Sequence, residues 1–185
     1  MNQEKKYFHN LEEFLNSSLQ SHQALFITLK QFSDENASGL GSGLSNCTNL
    51  SNLTLDLSQN KINVIGASGL GFALANCTNL QNLTLNLHGN QIGAIGTLGL
   101  CSALANSTNI SNLTLELQNN IIGPIGASGL GSSLANYTNL TNLALDLQQK
   151  QFICFKQCYF QNKNEFKTIQ LTFLIYFFYL FRFYF

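Results

Sequence analysis

The sequence predicts an α/β solenoid, with parallel strands on one side and short helices on the other, built from about four units of 30 residues. Two recurring phrases carry this reading. Leu50, Leu80, Ile110 and Leu140 open four copies of a phrase in which leucines alternate with polar residues, as Leu53, Leu55 and Leu57 do with Thr54, Asp56 and Ser58. Gly39, Gly69, Gly99 and Gly129 open a second phrase of the same period, each beginning Gly-Leu and ending in Asn, a variable residue and Thr-Asn. Alternation with a period of two gives a strand with one buried face, whereas leucines four apart share one face of a helix. A strand and a helix repeated without inversion stack their strands in parallel, and no single unit buries its leucines alone.

Residues 1–36 are expected to close the N-terminal end. Leu11, Phe14, Leu15 and Leu19 share one helical face, with Asn10 as N-cap and Glu13 three residues later as in a capping box. Leu25 and Ile27 stand in the phase of Leu55 and Leu57, and Phe32 in that of Ile62, which predicts a degenerate first strand. The helix carries Glu12 and Glu13 on its other side, and a terminal cap needs such a polar outer side.

Residues 37–149 hold the repeats. The strand phrase recurs at Leu83 to Leu87, Leu113 to Leu117 and Leu143 to Leu147. The helical pairs are Leu40 and Leu44, Leu70 and Leu74, Leu100 and Leu104, Leu130 and Leu134. Asn46, Asn76, Asn106 and Asn136 follow them, and are expected to end the helices in the left-handed conformation that Asn tolerates. The run Leu53, Leu55, Leu57, Asn60, Ile62 resembles the leucine-rich repeat signature, and the helix with Gly69, Leu70 and Leu74 resembles its ribonuclease-inhibitor-like class. Leu50 adds an apolar position ahead of that signature, so the unit is slightly longer than the class commonly has. The resemblance implies that Asn60, Asn90 and Asn120 form a ladder that bonds backbone groups of the turn leaving each strand.

The unit is lost after Gln149: Lys150 stands in the phase of Asn60, Asn90 and Asn120, and Lys156 in that of Gly66, Gly96 and Gly126. Residues 150–185 hold 14 of the 21 Phe and Tyr residues and contain nothing that looks like a cap. This aromatic-rich hydrophobic tail reads either as intron or intergenic read-through or as a poorly structured segment packed on the last repeat. A membrane anchor is the rival. Leu171 to Phe185 is apolar apart from Thr172 and Arg182, but as a helix it spans roughly 22 Å against a hydrocarbon core of about 30 Å. The uncapped end of the last strand leaves self-association open.

Nine basic residues balance nine acidic ones, and Arg182 is the sole arginine. That balance excludes electrostatic binding of nucleic acid. No apolar run of signal-peptide length follows Lys5 and Lys6, so a cytoplasmic location is expected. Five cysteines in that compartment favour free thiols.

Catalytic, cofactor and metal readings find no support. His9, His22 and His88 lie in unrelated phases, and His88 reads as a surface histidine. Asp56, Asn86, Glu116 and Asp146 form a column across adjacent strands, and the neutral Asn within it favours a solvated polar face over a cation site. The recurring glycines lack a following Lys-Ser or Lys-Thr pair, so they serve packing and not phosphate. Cys154 and Cys158 lack a second Cys or His pair for zinc, and Cys47 and Cys77 alternate in phase with Ser107 and Tyr137. Sequons at Asn52, Asn82 and Asn112 arise from composition, and no kinase signature is present.

What remains is a non-catalytic scaffold for a protein partner, with no cofactor. Its binding face would comprise Thr54, Asp56, Ser58, Thr84, Asn86, His88, Thr114, Glu116, Gln118, Ala144, Asp146 and Gln148. Two other readings stand beside it: a fragment or regulatory part of a larger signalling protein (a kinase or GTPase activator), and a truncated gene product.

Overall fold

The computed structural model describes residues 5–147 and 158–160. Six strands run parallel in sequence order: β1 (Lys5–Phe8), β2 (Ala24–Thr28), β3 (Asn52–Asp56), β4 (Asn82–Asn86), β5 (Asn112–Glu116) and β6 (Asn142–Asp146). From β2 on they alternate with α2 (Asp34–Ser45), α3 (Val64–Ala75), α4 (Gly93–Leu104) and α5 (Gly123–Leu134), which stack side by side behind the sheet. The chain is an α/β solenoid. From β3 to β6 the register is an unbroken offset of 30, so Leu53, Leu83, Leu113 and Leu143 meet one another, as do Leu55, Leu85, Leu115 and Leu145. These leucines and the helical ones at Leu70, Leu74, Leu100 and Leu104 are at most 3% exposed. Each fully buried Leu contributes about 1.5–3 kcal/mol against water, and it does so only because the neighbouring repeat covers it.

The ends of the elements differ from the expectation at several points. From β3 to β6 each strand begins at the Asn ahead of the first leucine and stops one residue before the third, although the Leu57 N–H still donates to the Asn86 carbonyl. Asn46 and Asn76 end their helices in right-handed conformation, φ −81° and −79°, and Ala105 and Ala135 take that place in α4 and α5. The left-handed residues are instead in the turns after the strands, at Gln31, Gln59, Gly89, Asn119 and Ile121, and at Gly93 and Gly123 where α4 and α5 begin. The turn after a strand must reverse the chain tightly, while the helix ends close with ordinary i to i−3 bonds such as Cys47 N–H to the Leu44 carbonyl.

At the N-terminal end, β2 is offset from β3 by 28, not 30: Leu25 pairs with Leu53 and Ile27 with Leu55, two positions from the expected phase. Phe32 nevertheless takes the place of Ile62, because the first turn is two residues shorter and has no Asn of its own. The capping helix α1 covers only Leu11–Leu15, and Leu19 belongs to a separate 3₁₀ turn, Leu19–Ser21. Asn10 Oδ1 accepts from Glu12 N–H at 2.7 Å and Glu13 N–H at 3.3 Å. Phe8 and Phe14 meet edge to face at 5.5 Å, with His22 against Phe8, and together they plug the apolar end of the stack. The edge strand β1 has no counterpart in the repeat phrase, and the sequence reading passes over it.

At the other end, β7 (Cys158–Phe160) pairs antiparallel with β6, Leu143 opposite Phe160 and Leu145 opposite Cys158. The edge of β6 is therefore covered over these residues, where the sequence reading leaves it open. Leu171 to Phe185 lies outside the described residues.

Candidate functional site

The solvent face of the sheet is built from the positions that alternate with the leucines. In register it forms rows that cross the strands. The central row is Tyr7, Phe26, Thr54, Thr84, Thr114 and Ala144, and the row beyond it is Thr28, Asp56, Asn86, Glu116 and Asp146. Ser58, His88 and Gln118 follow just past the strand ends. From Thr54 to Asp146 the side chains of these rows are half-buried, because each leans on its neighbour in the next strand. Gln148 lies outside the described residues.

The acidic row has an internal use. Asp56 Oδ1 accepts the Ser58 N–H at 2.9 Å, and Asn86 Oδ1 accepts the His88 N–H at 3.0 Å. Asp and Asn share that acceptor, which is the physical reason that a neutral residue fits within the column. Asp146 Oδ2 accepts from Gln118 Nε2 at 3.0 Å, a bond between adjacent repeats.

Three further asparagine columns frame the face. Asn60 Oδ1 accepts from Phe32 N–H at 2.8 Å, and its Nδ2 donates to the Leu29 and Leu57 carbonyls at 3.0 and 2.9 Å. Asn90 repeats this with Ile62 N–H, Leu57 and Leu87, and Asn120 with Ile92 N–H, Leu87 and Leu117. Asn52, Asn82, Asn112 and Asn142 are bonded in series, each Nδ2 donating to the Oδ1 of the repeat before. Asn79, Asn109 and Asn139 donate to the carbonyls of Thr48, Thr78 and Thr108. The sequon nitrogens of Asn82 and Asn112 are thus engaged in the second column. That column escaped the sequence reading, although the invariance of Asn ahead of each strand was its signal.

Two features of the surface were also missed. Tyr7, 59% exposed, stacks on Phe26 with ring centroids 4.8 Å apart, and the Lys5 ammonium sits 5.5 Å from the Phe26 centroid. Lys30 Nζ reaches the Ser58 carbonyl at 3.3 Å. On the far side of the molecule, Ile65, Ile95 and Ile125 stand in one column on the first turns of α3, α4 and α5, each at least 70% exposed. The aromatic pair was hidden because β1 has no counterpart in the repeat phrase, and the isoleucines because they lie outside the leucine pattern.

Among the described residues, burial favours the neutral form of the interior thiols and phenol. Cys47, Cys77 and Cys101 are free and buried, and burial pushes their thiols up to about 11, about 12 and about 12. Burial likewise raises the Tyr137 phenol above its ordinary range. Among the described residues no group of three or more His, Cys, Asp or Glu is placed to hold a metal ion, and no helix is long and apolar enough to cross a membrane.

No family model and no curated protein matches the chain. Among solved structures, the leiomodin-1 actin-binding site 2 superposes with a TM-score of 0.58 at 16% identity, covering 93% of this chain and 89% of that chain. At that identity the likeness is one of fold, a leucine-rich-repeat-like solenoid.

Proposed function

We propose that the chain is a non-catalytic protein-interaction scaffold of the ribonuclease-inhibitor-like class, working in the cytoplasm and binding its partner through the solvent face of the sheet. The observation that carries the reading is the contrast between columns. Residues repeated in every copy, the leucines and the asparagines, are committed to the core and to neighbouring backbone. Residues that change from copy to copy, Asp56, Asn86, Glu116 and Asp146 with Ser58, His88 and Gln118, share the open face. Six strands at about 4.8 Å and roughly 17 Å of length give on the order of 500 Å² of face, short of the roughly 800 Å² per partner in a standard interface. A modest affinity, help from loops, or a larger parent protein follows from that size, and the last keeps the regulatory part of a signalling protein as the alternative.

The test is a triple change of Asn86, Glu116 and Asp146 to Lys. Quantitative affinity capture with the full chain should lose its partners while the circular dichroism stays that of the parent. Actin is the first defined protein to assay, because the leiomodin segment of like fold is an actin-binding site. Partners retained by the triple variant would place the site on the helices or loops instead. Self-association, the other partner reading, is checked by sedimentation of the parent chain.

A further inference from the structure

The three isoleucines at the back of the stack stand on a face without charge. Between Lys61 and Glu116, and again between Glu116 and Asp146, the sequence has no Asp, Glu, Lys or Arg, so α3, α4 and α5 carry none. Ile65, Ile95 and Ile125 are each at least 70% exposed, and Phe72, two turns beyond Ile65 on α3, is 64% exposed. The ground between them is level, because Ser68 sits against Gly99 and Leu98 against Gly129, filling the seams between neighbouring helices. In α2 the position of the isoleucines holds Glu35, in an acidic first turn, so the apolar row ends at α3. A contiguous face that is both exposed and apolar marks a contact surface.

We infer that this face is the interface of a homodimer, two copies of the chain packed back to back about a two-fold axis at Ile95. Charge selects the occupant. An anionic membrane, or an acidic or basic protein surface, would find no counter-charge on these helices, and contact with them would strip its own charges of water. A second copy brings the same uncharged face, so no charge is buried on either side. The repeat then supplies the geometry. The isoleucines recur every 30 residues, on helices about 9 Å apart, so the row spans roughly 18 Å and reads the same in either direction. Turned about Ile95, it sets Ile95 beside its own counterpart and Ile65 beside Ile125 of the second copy, as an isologous contact requires. Glu35 falls outside the matched row. Size sets the strength. Three helices of 12 residues, each about 18 Å long and about 9 Å from the next, present on the order of 500 Å² per copy. The pair then buries roughly 1,000 Å², at the lower bound for a specific interface, so a weak dimer with a dissociation constant on the order of tens of micromolar is expected. Both sheet faces point outward in this arrangement and stay open, so the dimer goes beyond the sheet-face reading and does not depend on it.

The experiment is sedimentation equilibrium of the full chain from about 1 to about 300 μM, a range that brackets the expected constant. The apparent mass should climb from 20.5 kDa toward twice that value. Ile95→Lys sets two like charges against each other at the axis and should weaken association at least about tenfold, and Ile95→Glu should do the same. A mixture of the Ile95→Lys and Ile95→Glu chains should regain the dimer, because on a two-fold axis position 95 meets its own counterpart. Misfolded variants would not recover in this way. A parent chain that stays monomeric throughout the range, a dimer indifferent to both substitutions, or a mixture that stays monomeric overturns the inference. So does capture of the parent chain by uncharged phosphatidylcholine vesicles that Ile95→Lys abolishes, which would give the face to a lipid surface. Partner capture through the sheet face should be the same for the parent and Ile95→Lys chains, so the two readings fail separately.

Discussion

Replacing Asn90 by Ala removes one side chain and three hydrogen bonds. Its Oδ1 accepts the Ile62 N–H at 3.0 Å, and its Nδ2 donates to the Leu57 and Leu87 carbonyls at 2.9 Å each. The residue is 5% exposed, so water reaches the three abandoned backbone groups poorly. At a net worth of about 1 kcal/mol per bond, with a further penalty for buried groups left unpaired, the loss is about 2–4 kcal/mol. Asn86→Ala provides the control within the same turn. Asn86 gives up one bond, to the His88 N–H at 3.0 Å, in a half-buried place where water replaces it, so about 1 kcal/mol or less is expected. In urea, with a slope of about 2 kcal/mol per molar for a chain of this size, the Asn90→Ala midpoint should fall by about 1–2 M and the Asn86→Ala midpoint by about 0.5 M or less. Asn90→Asp should be no better than Ala, because it keeps the acceptor and sets a carboxylate against two carbonyls. Equal midpoint shifts for Asn90→Ala and Asn86→Ala, at unchanged slope, would refute the assignment of the load to the inner asparagine.

Other outcomes follow from the packing. A Cβ on Gly71 would meet the Leu100 carbonyl at 2.8 Å, whereas one on Gly131, in the same phase, meets nothing within 4 Å. Gly71→Ala should therefore cost about 1–3 kcal/mol by overpacking, while Gly131→Ala should be neutral or gain about 0.5–1 kcal/mol in helix propensity, both read from denaturant melts. The buried thiols keep their protons in the folded chain well above the ordinary 9.0, so stability present below that pH should drain away as pH rises through about 11 to about 12. Melts at pH 8, 9 and 10 should show the decline, and Cys101→Ala should flatten it; an unchanged slope would reject burial as the cause. Changing Ile65, Ile95 and Ile125 to Ser should leave capture through the sheet face intact, and loss of capture would point to the helical side.

Legibility followed repetition. The alternation around Leu53, Leu55 and Leu57 and the spacing of Leu70 and Leu74 made the solenoid readable, because burial of one sheet face and one helix face is a periodic demand. What repetition could not reveal was what does not repeat. Lys5 to Phe8 became a strand because it adds to an open sheet edge and buries Phe8, a tertiary reason with no local pattern. The shift of β2 by two residues was invisible because Leu25, Ile27 and Leu29 alternate alike in either phase, and a slip of two keeps the same face buried. Phe32 sat in the right place for a different reason: the turn before it is shorter. The unread strand at Lys5 to Phe8, not that slip, concealed the stacking of Tyr7 on Phe26.

Within one chain, the four copies act as a comparison of the same site in four surroundings, and they separate support from recognition. Asn at 52, 82, 112 and 142 never changes, and its amide joins each repeat to the one before it. The next column but one runs Thr, Thr, Thr, Ala, and the fifth position runs Asp, Asn, Glu, Asp. An acceptor for the turn N–H explains Asp56 and Asn86. It does not explain Glu116, whose longer side chain is the wrong length for the two-residue loop back, and Asp146 adds a bond sideways to Gln118 of the repeat before. The row therefore combines bonds to the turn at Asp56 and Asn86 with a bond between repeats at Asp146. A polar face required only for solubility would have no reason to sort its roles along the stack.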